Sequence, residues 1–95
     1  MTDWPYTTTH RALALLRAVS AGRVEMTCSA EPDAFLDDLA WCDQQIAHHL
    51  AHAALMEPAR QGRVGMRVPA RLTAKGMIHL ALHTSASAPT TNATS

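Results

Sequence analysis

The chain has no stretch approaching the ~20 consecutive apolar residues of a membrane-spanning helix, which excludes such a segment. Its start has neither a basic leader nor an apolar run of signal-peptide length, so the expected location is the cytoplasm. Cysteine is confined to Cys28 and Cys42 with no Cys-x-x-Cys, which argues against a disulfide framework and against a four-ligand zinc site. The two thiols are expected to be reduced and packed as small apolar groups, although an oxidising compartment would let them pair. Gly-x-Gly-x-x-Gly and phosphate-binding loops are missing. A Cys-His-Asp set can be assembled on paper from Cys42, His49 and Asp38, but no strained elbow accompanies it. Asp37 and Asp38 are adjacent, so on a helix they would diverge by about 100° rather than flank a substrate. These absences point away from an enzyme, and 95 residues leave little room for a catalytic pocket beside a core. No cofactor, metal or small-molecule substrate is implied.

Charge of one sign is missing too: eight basic and eight acidic side chains cancel, so no whole-molecule field draws the protein to nucleic acid or membrane. The distribution is uneven. Glu25, Glu31, Asp33, Asp37, Asp38 and Asp43 follow one another without a Lys or Arg, whereas Arg60, Arg63, Arg67, Arg71 and Lys75 crowd residues 57–75.

What is present reads as alternating helical and extended segments. Thr7, Thr8 and Thr9 offer N-caps to a helix carrying Ala12, Leu13, Leu15, Leu16 and Val19, which ends near Ala21 and Gly22. Val24 to Cys28 alternates apolar and polar, as a half-buried strand does. After a loop at 29–32, Phe35, Leu36 and Leu39 fall at helical spacing, and Ile46, Leu50 and Ala53 or Ala54 continue it. This predicts either one helix of about twenty residues or two short ones broken near 40–43, where Asp43 is a good N-cap. Residues 55–59 and 66–72, around Gly62 and Gly65, predict a β-hairpin whose prolines, Pro58 and Pro69, restrict it to edge-like pairing. Thr73 caps a last helix with Met77, Ile78, Ala81 and Leu82. The polar tail 83–95 has nothing to bury and is expected to be disordered.

The order helix, strand, helix, helix, hairpin, helix resembles the winged helix-turn-helix family of bacterial DNA-binding proteins. Leu50-Ala-His-Ala-Ala-Leu55-Met-Glu-Pro is similar to the end of its recognition helix running into the first wing strand. Pro69-Ala-Arg-Leu72-Thr73-Ala-Lys-Gly76 is similar to its return strand and the "Leu-Thr-x-x-Gly" start of the last helix. Ala54 stands where the family more often has glycine. The resemblance implies an α+β fold, mainly α, over residues 8–82, with an extended arm at 1–7. It implies a transcriptional regulator that reads double-stranded DNA with helix 43–55 in the major groove and touches the backbone with the wing.

With Ile46 and Leu50 turned inward, Gln44, Gln45, His48 and His52 face outward as candidate base readers, with His49 at the boundary. Arg60, Arg63, Arg67, Arg71 and Lys75 are the candidate phosphate contacts. His48 and His52 also have the spacing at which two imidazoles share a metal, but further ligands are lacking. Trp4 and Tyr6 suggest packing over the first helix or against a second subunit, so a homodimer is a possible partner state. Trp41 suits either the core or a partner surface. The rival function is a protein-interaction module that uses an acidic helix at 33–43 against a basic partner.

Overall fold

The computed structural model describes residues 7–85, so residues 1–6 of the expected arm at 1–7 and residues 86–95 of the expected tail at 83–95 lie outside the described residues. The elements are α1 (His10–Ser20), β1 (Val24–Thr27), β2 (Ala34–Leu36), β3 (Leu39–Ala40), α2 (Gln44–His52), β4 (Met56–Pro58), β5 (Arg67–Leu72) and α3 (Ala74–Ser85). The last helix runs into the stretch where the polar tail was expected to begin. The strands form one antiparallel sheet in the order β3-β2-β1-β5-β4. The fold is therefore α+β, with more sheet than the sequence implied.

Helix α1 begins where Thr9 accepts a hydrogen bond from the Ala12 amide, and it buries Ala12, Leu15, Leu16, Ala18 and Val19. Against this stripe pack Val24 and Met26 of β1, Ile46, Ala47 and Leu50 of α2, and Leu55, Met56 and Ala70 near the hairpin. Trp41 is half-buried against the same core.

One expected element is corrected. Residues 33–43 form no helix, neither as half of a pair nor as part of a longer one; they are the β2–β3 hairpin. Its two-residue turn is Asp37-Asp38, with φ of 50° and 73°. Two consecutive left-handed residues make the turn whose twist matches paired strands, and aspartate tolerates that region better than most residues. Phe35, Leu36 and Leu39 mimic helical spacing because a tight turn separates two short apolar strands. The acidic helix of the rival reading therefore does not exist.

The expected hairpin at 55–72 is present, but β5 lies inside the sheet and carries Pro69. Its register explains how. Arg67, Val68 and Pro69 pair with β1, whereas Ala70, Arg71 and Leu72 pair with β4. The strand changes partner immediately after its proline, so the missing N–H falls where one ladder ends. The Pro69 carbonyl still accepts from the Ala59 amide at 2.7 Å.

Helices α1 and α2 end in the same way, with different residues in the left-handed seat. After α1 the Arg23 amide reaches the Ala18 carbonyl and Gly22 has φ 77°; after α2 the Leu55 amide reaches the Leu50 carbonyl and Ala54 has φ 62°. Both are Schellman endings, and only one has the glycine they favour. A side chain in this region costs about 1–2 kcal/mol, offset in part by glycine's larger unfolded-state entropy. Ala54→Gly should therefore stabilise the protein by about 0.5–1 kcal/mol, and Gly22→Ala should destabilise it similarly. Nothing lies within 4 Å of a Cβ built at Gly22, so that second change is conformational alone. Urea midpoints of the two variants, moving in opposite directions, check this.

Candidate functional site

The nine nominated side chains divide into those consumed by the fold and those left to solvent. Gln44, in the first turn of α2, belongs to the first group. Its Oε1 accepts from the Ala34 amide at 2.8 Å, and its Nε2 donates to the carbonyls of Ala34 and Trp41, both at 3.0 Å. The amide thus grips the start of β2 and the segment leaving β3, completing bonds that a neighbouring strand would otherwise make. Lys75 is likewise engaged, with Nζ donating to the Ala53 carbonyl at 2.9 Å. Thr73 Oγ1 donates to the Ala54 carbonyl at 2.6 Å, and the Thr73 amide to the Leu55 carbonyl at 3.2 Å. Three successive carbonyls at the end of α2 are thereby satisfied by the start of α3.

The outward face of α2 carries Gln45, His48 and His52, seven residues from end to end as two helical turns require. The loop between β1 and β2 folds over part of it, closed by the Asp33 amide on Thr27 Oγ1 at 2.8 Å. Asp33 Oδ1 lies 3.1 Å from His48 Nε2 and Glu31 Oε1 3.5 Å from His48 Nδ1, while the Glu31 carboxylate is 3.9 Å from His52. His48 is consequently half-buried. Gln45 and His52 remain exposed, and Gln45 lines an open cleft of about 400 Å³ with Thr9, His10, Arg11, Asp43 and Ile46.

Four of the six acidic side chains between Glu25 and Asp43 meet an arginine within the fold. Arg23 holds Asp37 through two hydrogen bonds, which keep the Asp37 carboxyl below its ordinary range and raise Arg23. Arg67 bonds Asp38, approaches Glu25 at 3.5 Å, and stacks its guanidinium 4.4 Å from the centre of the Phe35 ring. Arg11 meets Asp43 at 3.5 Å and Arg71 meets Glu57 at 2.9 Å. All lie at the surface and are pairs of modest energy.

Arg60 and Arg63 flank Gln61-Gly62 in the exposed loop between β4 and β5; like Arg17 on α1, neither has an ion pair among the described residues. The loop itself is anchored. The Gly65 amide donates to the Cys28 carbonyl and the Cys28 amide to the Met66 carbonyl, both at 2.9 Å. A Cβ on Gly62 would stand 3.2 Å from Cys28 Sγ and 2.9 Å from Met66 Sδ, so glycine lets the loop lie against the end of β1. Arg60 and Arg71 share an open cleft of about 530 Å³ with Ser29 and Gln61. Cys28 is half-buried and Cys42 exposed; both are free thiols.

Sequence spacing could not show the pairing partners, because Asp38 and Glu25 reach Arg67, and Glu31 reaches His48 and His52, only through the sheet and the loop over α2. Among the described residues no helix is long and apolar enough to cross a membrane. No family model matches the chain, and neither a curated protein nor a solved structure matches it.

Proposed function

We propose that this protein binds double-stranded DNA as a transcriptional regulator, with the β4–β5 hairpin as a wing. In this reading the fold is a winged-helix derivative in which the β2–β3 hairpin replaces the first helix of the helix-turn-helix. By the same reading α1, the sheet β1-β5-β4 and α2 serve as the remaining elements. The observation that carries the reading is the placement of two guanidinium groups without ion pairs, Arg60 and Arg63, on one anchored and exposed loop of the β4–β5 hairpin. Such groups neutralise backbone phosphates and release counterions. Gln45 and His52, the exposed members of the α2 face, are the base-edge contacts that remain available. With Glu31 and Asp33 nearby, affinity depends on the wing more than on the helix.

The test is retention of a labelled random-sequence duplex across a salt series. Replacing Arg60 and Arg63 together by alanine should flatten the slope of log K against log salt by about 2 and weaken binding about 10- to 100-fold on every sequence. Gln45→Ala should instead change which sequences are selected. Absence of retention at low salt, or a slope indifferent to the arginines, would refute the proposal.

A further inference from the structure

The loop between β1 and β2 meets α2 through one imidazole. His48 presents both ring nitrogens to it: Nε2 lies 3.1 Å from Asp33 Oδ1, and Nδ1 lies 3.5 Å from Glu31 Oε1. A neutral imidazole carries a single N–H, so it can donate to only one of these carboxylates and turns a lone pair toward the other. The imidazolium donates to both. The two carboxylates differ in what else holds them. Asp33 is the nearer and is fixed independently, since its own amide donates to Thr27 Oγ1 at 2.8 Å. Glu31 has no such tie: its polar contacts among the described residues are with His48 and His52 alone.

We propose that His48 is a pH-sensitive latch: protonated, it fastens Glu31 and the loop 29–32 onto α2, and neutral, it keeps Asp33 but releases the Glu31 end. The contact is present at low pH, where imidazole is charged, and is lost as pH rises from about 5 to 8. The surrounding charges do not substitute for it. His52, one turn further along α2, stands 3.9 Å from Glu31 with its side chain 58% exposed, so solvent screens that pair far more than the His48 contacts, where the imidazole is 26% exposed. Glu57 of β4 lines a cleft with Pro32 and His52, and it is held by Arg71. Asp43, at the start of the helix, is engaged by Arg11 and by the Ile46 amide, and His49 follows about 100° around the helix from His48. Release uncovers part of the outward face of α2 without disturbing the strands on either side of the loop. The latch stands without the DNA reading and is tested without DNA.

Carbon-13 relaxation of the Ala30 methyl group reads the loop in the full chain, with the methyl of fully buried Ala34 as the fixed reference. The Ala30 order parameter should fall from about 0.85 at pH 5 to below about 0.6 at pH 8, while that of Ala34 stays constant. Nitrogen-15 shifts of the His48 ring should show both nitrogens protonated at the lower pH and a proton on Nε2 alone at the higher. His48→Gln should abolish the pH response of Ala30, Glu31→Ala should leave Ala30 mobile at both pH values, and His52→Gln should keep the response of the parent. A loop equally ordered at both pH values in the parent overturns the latch, as does a response that survives His48→Gln or one that vanishes in His52→Gln.

Discussion

Gly76→Ala should cost at least about 3 kcal/mol, the largest effect of any single methyl group added to this protein. Glycine here serves proximity rather than flexibility. It sits in the first turn of α3, where its amide donates to Thr73 Oγ1 at 2.9 Å, and its α-carbon faces the end of α2. A Cβ at this position would overlap the Leu55 carbonyl oxygen outright and stand 2.8 Å from the Leu55 carbonyl carbon. Both atoms are backbone, held by the Thr73 amide on one side and by the Schellman ending of α2 on the other. No rotamer change relieves the overlap, so either α3 backs away or the hairpin start moves. Moving α3 would break the hydrogen bonds from Thr73 and Lys75 to the Ala53, Ala54 and Leu55 carbonyls. A domain of this size has a total stability of only about 5–10 kcal/mol, so the variant should be substantially unfolded near 37 °C. Urea unfolding monitored by circular dichroism checks it; an unchanged midpoint would mean that α3 does not lie against Leu55.

The parts of this architecture legible in the sequence are those whose signal is local. Thr9, Asp43 and Thr73 each announce a helix start with a side chain that accepts from the first free amides, and all three do so in the structure. Gly22 marks the end of α1 by its left-handed backbone. Residues 33–43 were illegible for an equally local reason: aspartate serves a hairpin turn and a helix surface alike, and Phe35, Leu36 and Leu39 satisfy both periods. Only pairing with β1, through Glu25 opposite Phe35 and Met26 opposite Ala34, decides between them. The candidate site was legible to a smaller extent. Outward direction on α2 follows from where Ile46 and Leu50 point, but what covers an outward side chain is a tertiary fact. Gln44 and His48 are at the right angle and already engaged, whereas Arg60 and Arg63, on a loop that returns to the sheet, stay unpaired.

Gln44 gives the second large effect, and a test of the division between structural and available polar groups. Alanine at this position should destabilise the fold by about 2–4 kcal/mol, because it removes three hydrogen bonds and leaves the fully buried Ala34 without its side-chain partner. Hydrogen exchange should show the Ala34 amide, protected in the parent, opening early in the variant. Gln44→Glu separates the chemistry from the volume. The carboxylate can still accept from the Ala34 amide, but its second oxygen would face the carbonyls of Ala34 and Trp41, where the parent presents a donor. That environment favours the protonated acid, so the folded-state pKa rises above its unfolded value. The glutamate variant should therefore gain stability as pH falls through the raised value and lose it as pH rises, whereas Gln44→Ala should show no such added dependence. If Gln44 instead served only an external ligand, both variants would unfold at the parent midpoint and the two pH profiles would coincide.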